Sequence, residues 1–200
     1  MSILEDFRLC SVLSTIAITD LLPEIGLLSY AYVIPEYSSL KVLVLFQRVD
    51  SAFAIRFGKG LVAYGIQTEY YAMDYYVQEG GKALADLMKK QLPNATDVIV
   101  VLSENSKDSW WPSFVFGLAS YTDKPIVSYL AAEIALPEHL SYWPRLKDIS
   151  NISEYLSART YHSEAAEKHW LTLLPEMRQK RRTASFYNQL QTKLKKKYGK

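Results

Sequence analysis

The sequence is poor in the residues that cross-link a chain, coordinate metals or break regular structure. It holds one cysteine, Cys10, in 200 residues, which excludes an internal disulfide and a multi-cysteine metal site. Its three histidines are widely spaced, with no cysteine or carboxylate at ligand spacing, so a metal site is not expected. Only 8 glycines and 8 prolines accompany 49% hydrophobic residues, a balance that predicts a packed core instead of disorder.

Long hydrophobic runs are missing as well. Residues 9–34 are rich in apolar side chains, but Asp20 and Pro23 interrupt them before the roughly 20 residues that span a bilayer. Glu5 and Asp6 give the start of the chain the wrong charge for a secretory signal. We therefore expect a cytoplasmic protein without a transmembrane segment.

Strand and helix patterns alternate from residue 40 onward, which predicts an α/β fold with a doubly wound parallel sheet. Asp50 is a candidate helix cap, Gly65 a helix terminator and Pro175 a break in the helical C-terminal region. Predicted strands cover 40–46, 66–71, 98–102 and 126–130; predicted helices cover 3–19, 51–64, 82–92, 110–121 and 149–156; residues 72–79 are a predicted loop. The expected parts are an N-terminal helical extension (1–39), the α/β domain (40–160) and a basic C-terminal helical extension (161–200).

Common catalytic and phosphate-binding motifs are absent. No G-x-G-x-x-G follows the first strand, where Gln47-Arg48-Val49-Asp50 stands instead, and no Walker phosphate loop occurs. Ser103 ends a strand without the G-x-S-x-G turn of a hydrolase. Gly58-x-Gly60 falls inside a predicted helix, so a packing role is expected for it.

The stretch from Asp97 to Leu140 carries the most specific pattern. A strand ends in Ser103, a polar loop follows, and Ser109-Trp110-Trp111 opens a helix. This arrangement resembles the Toll/interleukin-1 receptor (TIR) domain, especially bacterial members, and the overall likeness covers about residues 40–157. The resemblance implies a flavodoxin-like sheet of about five strands, TIR-type homo-oligomers or a partner TIR protein, and a signalling or antiviral defence role.

The resemblance also implies a binding site for NAD, but one residue of this sequence differs from the pattern of the TIR enzymes. TIR enzymes that split NAD carry a helix glutamate that supports the cationic transition state, and Val115 occupies that position here. Loss of such an interaction raises the barrier by several kcal/mol. Glu104, Glu69 and Asp74 are the candidate carboxylates to replace the missing helix glutamate, and the catalytic residue stays unassigned. The resemblance and the predicted strand ends give these candidate nucleotide-binding residues: Gln47, Arg48, Ser103, Trp110, Trp111 and Val115.

More than one role is open for the aromatic residues at the start of the predicted helix 110–121 and for the basic C-terminal segment. Two of Trp110, Trp111 and Phe114 are expected to anchor the helix, while the third stacks on a ligand ring or meets a partner. Residues 178–200 form a basic helix with an apolar stripe. This helix packs on the domain, binds a nucleic acid or anionic surface, or enters a groove of another protein.

Three functions follow from these patterns. The first is a TIR-like signalling or defence protein that works by assembly and NAD-related nucleotide binding, with no required cofactor and no strong catalysis of its own. The second is an NAD glycohydrolase that uses a displaced carboxylate or a partner chain. The third is a nucleic-acid-associated module that acts through residues 178–200.

Overall fold

Five parallel strands form one sheet in the computed structural model of the protein, which describes residue 37 and residues 39–140, 142–160 and 172–198. All of these belong to one unit, Val33–Lys200. The strands are β1 (Lys41–Phe46), β2 (Gln67–Ala72), β3 (Asp97–Leu102), β4 (Ile126–Leu130) and β5 (Arg145–Leu146). Their order in the sheet is β2-β1-β3-β4-β5, and every neighbouring pair is parallel. This is the flavodoxin-like doubly wound order, which confirms the predicted fold class.

Six described helices connect and flank these strands. They are α1 (Ser51–Val62), α2 (Met73–Gln78), α3 (Gly81–Gln91), α4 (Trp110–Tyr121), α5 (Ile152–Arg159) and α6 (Pro175–Tyr198), with 3₁₀ turns at Arg48–Asp50, Leu92–Asn94, Glu138–Leu140 and Ile149–Asn151. None of these helices is long and apolar enough to cross a membrane.

The core consists of two layers, one on each face of the sheet, because successive side chains of a strand point to opposite faces. Val42 and Val44 of β1 face the layer that contains α1, α5 and α6. Leu43 and Leu45 face the layer that contains α3 and α4. Strands buried on both faces explain the almost uninterrupted apolar runs of β1 and β3.

Two glycines of α1 allow close helix packing. A Cβ atom at Gly58 would overlap the hydroxyl of Tyr70 on β2, and one at Gly60 would press on the Ile152 side chain of α5 at 2.5 Å. These contacts account for the Gly58-x-Gly60 pattern without a phosphate ligand. Gly65 follows the end of α1 with a φ of +79°, a conformation that glycine adopts without strain.

The structure corrects two local predictions. Residues 72–79 were expected to form a loop, but Met73–Gln78 is α2, whose Met73 side chain is fully buried in the α3–α4 layer. Asp50 precedes α1 as expected of a cap, yet its side chain makes no capping hydrogen bond. Its carboxylate instead accepts a hydrogen bond from Ser103, 53 residues away.

The remaining predictions concern the two terminal regions of the chain. Pro175 begins α6, which agrees with a break at that residue, since proline suits the first turn of a helix. The apolar stripe of α6 packs on the domain: Phe186, Leu190 and Leu194 are buried in the α1–α5 layer. The predicted helix at 3–19, the N-terminal extension up to residue 36 and the segment 161–171 lie outside the described residues.

A buried ion pair lies at the amino end of the sheet. The Arg159 Nε atom lies 2.9 Å from Asp97 Oδ1, and Nη2 donates to Oδ2 at 3.1 Å. Burial by itself lowers the pKa of Arg159, but the charges of Asp97 and Tyr155 and the hydrogen bond together raise it above its usual value. Burial first, and then the charge of Asp97, raises the pKa of the neighbouring Tyr155. The Asp97 carboxylate thus favours the charged form of Arg159.

Candidate functional site

The strand order fixes where a ligand site is expected. In a doubly wound sheet of this order, the connections leave β1 and β3 toward opposite faces, and a crevice opens outside their carboxyl ends. The chain that follows β1 supplies Gln47, and the chain that follows β3 supplies Ser103 and Ser109. A cavity of about 270 Å³ lies at this end of the sheet. We call it the switch-point crevice, and its lining residues are Gln47, Asp74, Val77, Gln78, Ser109, Trp110 and Trp111.

A hydrogen bond joins the two loops across the crevice. The Gln47 Nε2 atom donates to Ser109 Oγ at 3.2 Å, which ties the β1–α1 loop to the start of α4. Ser109 holds the N-cap position of α4 with extended backbone, and it makes no side-chain capping bond. Its hydroxyl therefore belongs to the crevice wall and not to the helix end.

The buried carboxylate of Asp50 lies beneath these loops. Asp50 is 3% exposed, and its Oδ2 accepts a hydrogen bond from Ser103 Oγ at 2.7 Å. The Ser103 hydroxyl also accepts from the backbone N–H of Asn105 at 3.1 Å, while the Ser103 N–H donates to Ser106 Oγ at 2.9 Å. This network fixes the loop after β3 to the start of α1, and the same loop leads to Ser109 in the crevice wall.

Asp74 of α2 contributes a carboxylate to the crevice. Its Oδ1 accepts from the backbone N–H of Arg48 at 2.9 Å. The Arg48 side chain turns outward, donates to the Tyr75 hydroxyl at 3.2 Å and lies over the Tyr75 ring. Asp74 is half-buried, and its Oδ2 atom is left to accept a hydrogen bond from a ligand hydroxyl.

The two tryptophans of α4 have different environments. Trp110 is 47% exposed, and its ring meets Phe114 edge-on with the centroids 6.0 Å apart. Trp111 is 1% exposed, packs in the α3–α4 layer and has an indole N–H without a hydrogen-bond partner among the described residues. Trp111 is thus the hydrophobic anchor, and Trp110 is the ring available for stacking.

The other predicted site residues are distributed around the crevice. Arg48, Ser103 and Val115 do not line the crevice. Arg48 adjoins it through the bond from its N–H to Asp74, Ser103 is buried and bonded to Asp50, and Val115 is fully buried against the sheet. Glu104 is exposed and pairs with Lys107 at 2.6 Å, and its hydrogen bond raises the pKa of that lysine. Glu69 pairs with Lys41 at 2.7 Å on the edge strand. Of the three candidate carboxylates, only Asp74 lines the crevice.

Sequence patterns missed the contributions of Asp50, Val77 and Gln78. Asp50 resembles an ordinary helix cap in sequence, and its bond to Ser103 depends on the juxtaposition of two strand ends. Val77 and Gln78 lie on the short helix α2, which was predicted to be a loop. Within the part of the chain that the structure describes, no group of three or more His, Cys, Asp or Glu side chains is placed to hold a metal ion.

Comparison of the chain with protein-family models, curated proteins and solved structures finds no match.

Proposed function

We propose that the protein is a TIR-like signalling or defence protein of the cytoplasm whose switch-point crevice binds an NAD-related nucleotide without strong catalysis of its own. The observation that carries this proposal is the set of side chains at the switch point. An exposed indole, Trp110, lies beside a carboxylate, Asp74, and an amide, Gln47. A base stacks on an indole, and ribose hydroxyls donate to a carboxylate.

The size of the crevice supports a compact part of a nucleotide. Its volume of about 270 Å³ lies near the lower end of ligand pockets, which suits a base and its ribose better than an entire dinucleotide. The second half of NAD then extends along the rim, where the Arg48 guanidinium can meet the phosphates.

Weak catalysis follows from the position of the acids. A valine at residue 115 cannot stabilise a developing cation, and its side chain packs into the core. Glu104 and Glu69 are engaged by Lys107 and Lys41 outside the crevice. The protein therefore has the binding groups of a nucleotide site without a glutamate at the helix position that TIR enzymes use.

The test is isothermal titration of the purified full chain with NAD and with ADP-ribose. We expect binding that weakens about tenfold in Trp110→Ala, because base stacking on an aromatic ring contributes about 1–3 kcal/mol. Tyr121→Ala is the matched control, since Tyr121 is an 86% exposed aromatic at the opposite end of the same helix. No binding of either nucleotide, or equal losses in the two variants, contradicts the proposal.

Assembly through TIR-type contacts is the second half of the proposal. Apolar side chains are exposed on the chain that follows β1 and on α2: Val49 is 66%, Phe53 41% and Tyr75 41% exposed. Size-exclusion chromatography with light scattering should detect an oligomer that Val49→Ser/Phe53→Ser dissociates. Ile55→Ser/Val62→Ser removes similar exposed apolar side chains of α1 and should leave the oligomer intact. A monomer at high concentration, with and without nucleotide, contradicts this part.

Asp74 favours one alternative, an NAD glycohydrolase with a displaced carboxylate. In that reaction nicotinamide leaves with the electrons of its bond to the ribose, and water adds to the ribose carbon and releases a proton. Asp74 would support the cationic transition state from α2 in place of the missing helix glutamate. Chromatography of released nicotinamide tests it: steady turnover abolished by Asp74→Asn but retained in Glu104→Gln and Glu69→Gln establishes the alternative, and no turnover excludes it.

A further inference from the structure

The outer surface of α6 carries a concentration of positive charge. The helix contains eight Lys and Arg residues and one acidic residue, Glu176. Four cations are exposed and form no ion pair with the described part of the chain: Lys180, Arg181, Lys195 and Lys196. We call these four residues the basic ridge. Arg181, Lys195 and Lys196 lie on the side of the helix that faces away from the buried Phe186, Leu190 and Leu194, and Lys180 lies at the border of that side.

Packing of α6 does not account for the basic ridge. The helix is anchored by its apolar stripe and by polar contacts, such as the Tyr187 hydroxyl, which accepts from the Ile126 N–H, and Lys197, which pairs with Glu154 at 3.0 Å. The helix macrodipole favours cations in the last turn, but it gives no stabilisation to Lys180 and Arg181 near the helix start. The ridge therefore lacks an internal charge partner within the described residues.

We propose that the basic ridge binds the phosphate backbone of a nucleic acid without reading its sequence. The two pairs of cations lie about 21 Å apart along the helix at 1.5 Å per residue. Over that length duplex DNA presents on the order of 12 phosphate charges. Between the pairs, α6 exposes Asn188, whose side-chain amide is a common phosphate donor.

The surroundings of the ridge favour a nucleic acid over a lipid bilayer. A helix that binds a membrane surface inserts its apolar face, but the apolar stripe of α6 is buried in the domain. The same burial removes the stripe from any groove of a partner protein. Lys147 extends the positive surface at the C-terminal end, where its ammonium group lies 5.6 Å from the centroid of the Tyr198 ring.

The experiment is fluorescence anisotropy of the full chain with a labelled DNA duplex and a labelled single-stranded RNA, each of roughly 20 units, at low and moderate salt. We expect micromolar binding to both at about 50 mM salt and, for the duplex, a loss of about 150-fold at 200 mM, because four phosphate contacts give a slope of about 3.6. The variant Arg181→Gln/Lys195→Gln/Lys196→Gln should bind at least tenfold more weakly at low salt. Its slope of log affinity against log salt should fall by about three.

The matched control removes the same charge from the opposite face of the sheet. Lys82→Gln/Lys89→Gln/Lys90→Gln alters three exposed lysines of α3, and it should bind like the wild type. Circular dichroism melts of both variants should show that the fold is retained. Three results overturn the proposal: no binding at low salt, equal losses in both variants, or cosedimentation with phosphatidylserine vesicles in the absence of nucleic-acid binding.

Discussion

The two ends of the sheet each bury an aspartate, and the two carboxylates are held in different ways. At the amino end, Asp97 is 1% exposed and meets the guanidinium of Arg159 through two atoms. At the carboxyl end, Asp50 is 3% exposed and accepts a hydrogen bond from the neutral hydroxyl of Ser103. Among the described residues, the first carboxylate has a cationic partner, and the second has a neutral one.

We attribute the contact at the amino end to stability and the contact at the carboxyl end to the switch-point crevice. At the amino end the ion pair joins α5 to β3, beside a second cavity of about 250 Å³ that Leu40 and Arg159 help to line. A buried carboxylate with only a hydroxyl partner is tolerated at the carboxyl end because it orders the loops of the switch-point crevice. Uncompensated polar groups commonly mark places where a protein gives up stability for a site.

The largest effect is expected from breaking the ion pair at the amino end. Arg159→Met leaves the Asp97 charge buried without a partner and should reduce the free energy of unfolding by about 3–5 kcal/mol. Urea unfolding followed by circular dichroism measures the loss. The double variant Asp97→Asn/Arg159→Met removes both charges and should be more stable than Arg159→Met alone. A single variant as stable as the wild type contradicts a structural role for this pair.

A smaller effect is expected at the carboxyl end. Asp50→Ala and Ser103→Ala each remove one partner of a charge-assisted hydrogen bond and should cost about 2 kcal/mol in urea unfolding. Because the two side chains share one bond, the losses should not add, and the double variant should lose less than their sum. Additive losses would mean that the Asp50–Ser103 contact does not stabilise the loops.

A still smaller stability change is expected in the crevice wall. Trp110→Ala removes an exposed ring and should change the free energy of unfolding by about 0.5 kcal/mol, as surface substitutions do. The same variant is expected to lose nucleotide affinity about tenfold, which would separate the two properties at one residue. A large loss of stability would instead assign Trp110 to the core and weaken the comparison between the two ends.

An exposed carboxylate provides the smallest effect. Asp148 precedes the 3₁₀ turn at Ile149–Asn151, and hydrogen bonds from Ser150 lower its pKa below the usual value near 3.8. A lowered pKa adds stability above the unfolded pKa, and that stability is lost as the pH falls through the folded pKa. The wild type should therefore lose its small advantage over Asp148→Asn in thermal melts below about pH 4. A difference independent of pH contradicts this.

The sequence was sufficient for β1, β3 and β4 because these strands are almost entirely buried, whereas the two-residue β5 was not predicted. Strands such as Asp97–Leu102 need apolar side chains on both faces, and that demand is visible as a continuous run. The short helix Met73–Gln78 gave no such signal, since only Met73 is buried and its tyrosines favour strands. Its helical form depends on packing against the rest of the fold.

The sequence predicted where the crevice lies, but not all of the residues that line it or support it. Alternating strands and helices place a crevice at the carboxyl ends, and Gln47, Trp110 and Trp111 were expected there and line it. Asp50 could not be recognised, because its partner Ser103 lies 53 residues away in the chain. The selection of Asp74 over Glu104 and Glu69 likewise depends on ion pairs that no local pattern encodes.

The most direct test of the switch-point crevice is a nuclear magnetic resonance titration of the ¹⁵N-labelled protein with ADP-ribose. Indole N–H signals report on Trp110 and Trp111 separately, and Trp143 on the same α4 layer serves as an internal reference. We expect the signals of Trp110 and Trp111 to shift in a saturable manner while that of Trp143 stays in place. Unchanged signals from both crevice tryptophans at high nucleotide concentration would contradict the account.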